Sequence, residues 1–407
     1  VAIQLGVVAM VSPWLAYFFG QASLIAPLAN AWALPVFTFF VVPMALVGIL
    51  LVVLGLPGEG PVMAGAAKVL DGVAAGLAWQ ADWPLAQWTG MRPGLPEVVL
   101  LLMAGGLALG LQGRNRLWSV APLLAALAWP GPASPGVGRA RIWFLDVGQG
   151  NATVVATDRH VAVVDCGPHF GPGFGAGADL VAPFLQARGW SVLDRGIVSH
   201  GDDDHSGGCP GLDDAMPVRQ WAGAPGGLPR SGRALAVGDS WTWDGVTFRV
   251  LHPSSGTGLS GNNASRVLAV EAAGYTVLLP GDVEREAEQR LLERYPGLDV
   301  DVVAVPHHGS PTSSTSAWVQ ALDPQYAVVS VKYRNRWGFP DPKVLARYRA
   351  AGARVFTTPQ AGAVRVALGA EGLGVRAYRP TADHYWNAGP ARPYSLRWAA
   401  ASILGLF

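Results

Sequence analysis

No charged side chain occurs before Glu59, and from there to Arg139 only Lys68, Asp71, Asp82, Arg92, Glu97, Arg114 and Arg116 follow. A water-exposed domain of that length needs many more charges to cover its surface, so this part of the chain is built for lipid. The remainder is ordinary in charge, although the chain as a whole holds only 14% charged residues. That asymmetry excludes a wholly soluble enzyme and a wholly membrane-buried transporter alike. The net charge of +1 says nothing about partners.

In the apolar half, residues 1–19 and 32–56 are long and uncharged enough to cross a hydrocarbon layer of roughly 30 Å as helix. Pro13, Pro35 and Pro43 lie inside them, which a packed membrane helix absorbs when neighbours satisfy the freed carbonyls. The small, polar stretch from Gly20 to Asn30 reads as a turn or a broken helix. Residues 62–80 carry Lys68 and Asp71 and read as an interfacial amphipathic helix. Segments 97–112 and 117–130 pair as a helical hairpin around Arg114 and Arg116. Short arginine-rich loops stay cytoplasmic, so the chain after Trp129 should lie outside. The breaker-rich run from Pro130 to Gly136 marks a boundary. The expected organisation is a membrane segment over 1–130, a linker over 131–138, a globular domain over 139–380 and a tail over 381–407. The opening at Val1, without methionine, basic region or cleavage site, does not read as a secretory signal but as part of something longer. Cys166 and Cys209 cannot build a disulfide framework and read as plain buried thiols.

From Arg139 the pattern changes to short β-branched runs at Ile142–Leu145, Thr153–Ala156, Val161–Val164, Gly196–Ser199, Val246–His252, Thr276–Leu279, Val302–Pro306 and Ala327–Val331. Helical stretches at 179–188, 283–294 and 341–351 fall between them, which indicates an α/β or α+β domain. The chemistry lies at the strand ends. The run Ser199-His200-Gly201-Asp202-Asp203-Asp204-His205 places four potential metal ligands, His200, Asp202, Asp204 and His205, within six residues. Glycines follow that let the backbone fold tightly around an ion. A solvated acidic loop would account for the aspartates but not for the flanking histidines. Further strands deliver Gly281-Asp282 and His307-His308-Gly309-Ser310.

These three motifs, in this order, resemble the metallo-β-lactamase superfamily, whose usual first motif has histidine where Asp202 stands. The aspartate variant resembles more specifically the C-terminal domain of the ComEC family, the DNA-internalisation channel of natural competence. Asp146-Val147-Gly148-Gln149-Gly150, Asp165-Cys166-Gly167, Asn262-Asn263-Ala264-Ser265 and Tyr333-Arg334-Asn335-Arg336 support this, as do Phe19-Gly20-Gln21-Ala22-Ser23 and Leu28-Ala29-Asn30 in the apolar half. The resemblance implies an αββα sandwich preceded by transmembrane helices, and two divalent metal ions. By it, His200 and Asp202 hold one metal, Asp204 and His205 the other, Asp282 bridges, and His307 completes the second site. Asp204, Asp282 and His308 are the implied catalytic residues, and Asp146 and Asp165 orient the ligand loop from behind. Ser310, Ser313, Ser314, Lys332 and Asn335, with His308, are placed to grip phosphate oxygens. A carboxylate in place of imidazole at 202 moves the preference from zinc toward manganese.

The implied protein is a multi-pass inner-membrane protein of DNA uptake with an outward-facing nuclease acting on the strand not taken up. Its implied partners are single-stranded and incoming duplex DNA, membrane lipid, competence proteins and a second copy of itself. Two features depart from the family pattern: Asn151 stands where aspartate is expected, and Phe339 where histidine would precede Pro340. The second removes a candidate acid for the leaving group. His252 lies in the interval of the superfamily's further histidine ligand, but beside Pro253 at a strand end. Rival readings are a membrane-anchored hydrolase of small esters, amides or lactones, and a channel component whose hydrolase-like domain is not catalytic.

Overall fold

The computed structural model describes the chain except residues 1, 24, 84–85, 87, 90–92, 129–133, 172, 254–257 and 380–407. The expected tail and the start of the linker lie outside the described residues. The chain divides into two units, 1–132 with 185–190, and 133–184 with 191–407.

The first unit is helical. A helix at Ala2–Phe19 contains the apolar stretch Gly6–Phe18, shorter than the two helices that are long and apolar enough to cross a membrane, Ala26–Leu54 and Glu59–Ala81. The 20–30 stretch is thus not a turn throughout. Gln21–Ala22 pairs as a short strand with Trp88–Thr89, and helix begins at Ala26 with proline in its first turn, where the missing N–H costs nothing. Pro35 and Pro43 flank a π-helical stretch at Phe37–Val41, the widened turn that relieves a proline ring pressing on the preceding carbonyl. Residues 62–80 are helical, as expected. They belong to an uninterrupted helix of 23 residues, Glu59–Ala81, which carries Glu59, Lys68 and Asp71 and is nonetheless long and apolar enough to cross a membrane. It lies antiparallel to Ala26–Leu54 through small residues. A Cβ on Gly76 would fall 2.7 Å from Trp32, one on Gly65 2.5 Å from Met44, and one on Gly48 2.5 Å from Met63. Glycine at these positions lets the helices approach closely, as packing in lipid requires. Trp32 Nε1 donates to the buried Gln80 at 3.2 Å and ties the far end.

The second unit is an αββα sandwich. The strands of its two large sheets are β1 (Ala140–Phe144), β2 (Thr153–Ala156), β3 (Val161–Val164), β4 (Leu193–Val198), β5 (Val218–Gly223), β6 (Arg233–Ala234), β7 (Ser240–Trp243), β8 (Val246–His252), β9 (Val267–Ala272), β10 (Tyr275–Leu279), β11 (Val302–Ala304), β12 (Tyr326–Val329), β13 (Arg354–Thr357), β14 (Val364–Gly369) and β15 (Gly372–Ala377). One sheet runs β6-β5-β4-β3-β2-β1-β14-β15 and the other β7-β8-β9-β10-β11-β12-β13. Each is part parallel, over β3 to β6 and over β10 to β13, and antiparallel elsewhere. Parallel strands are covered on both faces, which is why β3 and β11 read as unbroken apolar runs. Between the sheets Ile142, Phe144, Val155 and Ile197 meet Phe248, Val250, Val270 and Val277. Helices Arg285–Arg294, Ser316–Leu322 and Pro342–Ala350 cover the outer face of the second sheet through Leu291, Trp318 and Tyr348. The Asp244-Gly245 turn joins β7 to β8 with positive φ at both residues, the pairing that a two-residue hairpin demands.

Candidate metal centre

The ligand-bearing segments leave the sandwich at the carboxyl ends of parallel strands, the customary place for a site in such sheets. β4 ends at Val198 and runs through His200 into a short helix, Asp203–Ser206. β10 delivers Asp282 and β11 delivers the His307-His308 pair. One ligand atom from each of Asp204, His205, Asp282 and His308 falls within 4.8 Å of the others. His308 Nε2 stands 3.0 Å from Asp204 Oδ2 and 3.5 Å from Asp282 Oδ2, and His205 Nε2 stands 2.9 Å from Asp282 Oδ1.

Three imidazoles present Nε2 to this centre because Nδ1 is engaged on each. His205 Nδ1 donates to Asp165 at 2.7 Å, and His308 Nδ1 donates to the Ser330 carbonyl at 2.8 Å. Ser199 gives its hydroxyl proton to Asp165 at 2.8 Å, so its oxygen accepts from His200 Nδ1 at 3.0 Å. The hydrogen-bond network thereby commits Nδ1 on each ring, so that Nε2 is the nitrogen left to bind a cation once its own proton is lost. Asp165 itself, at positive φ, also accepts from Ser199 N–H at 2.8 Å.

His200 Nε2 is buried without a hydrogen-bond partner among the described residues. Unpaired buried polar atoms are costly, and a cation beside them removes the cost. Charge tells the same story. Burial opposes a proton on His205 and His308, yet the carboxylates, Asp282 foremost, outweigh it and raise both above the ordinary imidazole value. Asp282, though buried, is held well below the carboxylate range by His205 and His308, and Asp204 is lowered by its bond to His308. His200 is lowered by burial and by His205. The donor set is two carboxylates and two imidazoles that together call for positive charge, and it fits a divalent cation.

The main chain of the ligand helix is held from both sides. Asn151 N–H donates to Asp204 O at 3.0 Å, and Cys166 N–H donates to His205 O at 2.7 Å. Gly150 lies so close that a Cβ there would sit 2.1 Å from Asp204 O, so only glycine fits. The two glycine-bearing motifs at 146–150 and 165–167 are therefore the bed of the ligand loop. Sequence reading assigned no part to Gly150, Ser199, Cys166 or the Ser330 carbonyl; a serine directly before the first histidine was the available signal for Ser199.

Several expectations need correction. Cys166 and Cys209 are not free thiols but a disulfide, and their separation in sequence gave no sign that the strand end and the helix after the ligand loop meet. His307 is not in the cluster. Both histidines have left-handed backbone, φ 49° and 54°, which turns His308 inward and leaves His307 beside Glu284 at 3.1 Å and Asn262 at 3.4 Å. Asp202 occupies the N-cap position of the short helix without a capping side-chain hydrogen bond, its side chain 60% exposed, 3.7 Å from His200 Nε2 and outside the cluster. Ser313 and Ser314 cannot grip a substrate: both are buried, the first donating to the carbonyls of Pro306 and Ser310, the second paired with Tyr348. Ser310 is buried against Thr312. The Asn335 amide is spent within its own turn, on Lys332, Trp337 and Phe339. Lys332 is exposed. Asp146 pairs with Arg379 at 2.7 Å and not with a ligand. His252 donates inward to the Asn263 carbonyl at 2.8 Å, and Phe339 lays its ring edge-on to His307 at 5.7 Å.

Comparison with known proteins bears on both units. Residues 145–332 match the model of the metallo-beta-lactamase superfamily, and residues 1–115 match that of a competence protein. The chain is 32% identical to competence protein ComA of Neisseria gonorrhoeae over 92% of its own length and 52% of that protein. It is 27% identical to ComE operon protein 3 of Bacillus subtilis over 89% of its length and 51% of that protein. It therefore spans about half the length of the curated relatives it matches. A metallo hydrolase from Ignicoccus hospitalis is similar in structure over 57% of this chain and 99% of its own, with 15% identity and a TM-score of 0.39.

Proposed function

Because this chain belongs to the ComEC family, joining part of its competence segment to a metallo-β-lactamase domain, we propose that it serves DNA uptake through the inner membrane and that its globular domain is an outward-facing metal-dependent nuclease acting on the strand not taken up. The observation that carries the reading is the cluster of half-buried Asp204 with buried His205, Asp282 and His308, and the Nε2 of His200 without a hydrogen bond beside it. Asp204, His205, Asp282 and His308 would hold a divalent ion, with His200 Nε2 beside them. Bound there, such an ion supplies Lewis acidity toward phosphoryl oxygens and activates water at neutral pH. The chain's own groups do the remaining work. Asp165, Ser199 and the Ser330 carbonyl keep the imidazole Nε2 atoms aimed inward, and Lys332 offers a charge to an approaching phosphate.

Carboxylates make up half of the four-residue cluster, which favours manganese over zinc for turnover. Two features support an outward domain. A disulfide persists in oxidising compartments, and one joins Cys166 to Cys209. Arg114 and Arg116, in the short 3₁₀ stretch Gly113–Ser119, favour a cytoplasmic position for that turn.

The test is cleavage of single-stranded DNA by the purified chain, stripped and then reloaded with manganese or zinc. Manganese should give the faster turnover and chelator should abolish it. A fully loaded protein that leaves the DNA intact would overturn the nuclease reading, and a faster zinc form would overturn the metal preference.

A further inference from the structure

The turn from Lys332 to Gly338 begins and ends on the histidine pair. Ser330, just before it, accepts from His308 at 2.8 Å, and Phe339, just after it, meets His307 at 5.7 Å. Whatever this turn displays therefore stands close to the metal cluster. Asn335 sets its shape, donating to the carbonyls of Lys332 and Phe339 at 3.1 and 2.6 Å and accepting from the N–H groups of Trp337 and Phe339 at 3.1 and 3.0 Å. A turn fixed in this way loses little entropy when a ligand arrives.

Its outward face is unusual in chemistry. Tyr333 is 47% exposed and Trp337 50% exposed, and each has a guanidinium over its ring, Arg334 at 5.3 Å and Arg336 at 4.3 Å. Lys332, Arg334 and Arg336 enter no ion pair among the described residues, whereas Arg159, Arg219, Arg230 and Arg249 all do. Cations without anions, alternating with aromatic rings, suit a ligand that alternates anions with flat apolar faces. Single-stranded nucleic acid is such a ligand, while a duplex hides its base faces in the stack.

We propose that the 332–338 turn is a base-stacking platform for single-stranded nucleic acid, with Tyr333 and Trp337 taking bases and Lys332, Arg334 and Arg336 taking phosphates. It deepens the nuclease reading and rests on it for the substrate class, but binding requires no turnover. The experiment is therefore equilibrium binding of a labelled oligothymidylate to the full chain in detergent, with chelator present. The Tyr333→Ala/Trp337→Ala protein should bind at least roughly fivefold more weakly, while Tyr333→Phe/Trp337→Phe stays near the wild type. Replacing Arg334 and Arg336 by glutamine should flatten the dependence of log affinity on log salt by roughly 1.4. Unchanged affinity in the alanine protein would overturn the platform, and so would an equal loss in the phenylalanine protein, since stacking survives that change. Failure of the nuclease reading would show separately, as intact DNA in the metal-loaded cleavage assay.

Discussion

His307 and His308 are adjacent in sequence and opposite in direction, and two consecutive left-handed residues are the cause. Such backbone is uncommon outside glycine and costs of order 1 kcal/mol or more per residue, so the surrounding structure must insist on it. The expected consequence is sharp. His308→Ala should lose bound metal, with affinity falling more than about a hundredfold because a ligand should matter more than its supporting shell, whereas His307→Ala should keep it. Metal content after dialysis decides between them, and equal retention in both proteins would remove His308 from the site. Asp165 acts one step further out, holding His205 Nδ1 at 2.7 Å. Asp165→Asn should weaken metal binding by about 10–100-fold, measured by competition with a chromogenic chelator. Since the carboxylates, Asp282 foremost, raise the proton affinity of His205 and His308 despite their burial, loading the empty protein at neutral pH should release protons. Titration calorimetry in two buffers of different ionisation enthalpy reads that release, and heats that do not differ would contradict it.

At the scale of elements, the ligand helix Asp203–Ser206 has too few residues to hold itself together, and its neighbours supply the stability. The disulfide joins the middle of the 165–167 loop to the helix Cys209–Ala215 across a separation of 43 residues. Removing it as Cys166→Ser/Cys209→Ser should cost about 2–4 kcal/mol, read from the denaturant midpoint of the globular unit. The hairpin turn at Asp244 makes a second tie, between the two sheets. Its carboxylate accepts from the Thr157 hydroxyl at 2.7 Å, from Arg159 N–H at 2.8 Å and from His160 Nδ1 at 2.9 Å. Burial alone would raise this carboxyl, but these donors hold it well below the ordinary value. A depressed folded value means that the contribution is present above the ordinary carboxylate range and is lost only as pH falls through the folded one. Asp244→Asn should therefore speed amide exchange in residues 157–161 and 240–247 at pH 7. The difference from wild type should shrink in strong acid.

For the whole molecule, orientation is the property that links its halves to a function. Single-cysteine labelling on intact cells is clean here because the native cysteines are joined to each other. Asn115 and Ala346 are both exposed, so Asn115→Cys and Ala346→Cys report the arginine turn and the globular unit respectively. An impermeant maleimide applied from outside should label Ala346→Cys and spare Asn115→Cys. The reverse pattern would put the hydrolase domain in the cytoplasm and end any role in degrading DNA outside the membrane.

Sequence alone determined the features that depend on local composition. The charge-free opening identified helices fit for lipid, and β-branched runs gave β2, β3 and β8 with the residues at which they begin and end, because β2 and β3 are buried along their whole length and β8 begins by alternating buried with more exposed positions. The ligand types were legible too, since histidine and aspartate crowded at strand ends have few structural uses. Strands such as β5 and β15 were not legible: Arg219 and Gln220 interrupt one and glycines the other, and only pairing with neighbours makes them strands. Tertiary structure decided which side chains meet. It exchanged the places of His307 and His308 through two dihedral angles, turned Asp202 outward from a helix cap, spent the hydroxyls of Ser313 and Ser314 in the interior, and brought Cys166 to Cys209. Each of these depends on the direction in which a backbone points after a turn, and residue identity at that position does not encode it by itself.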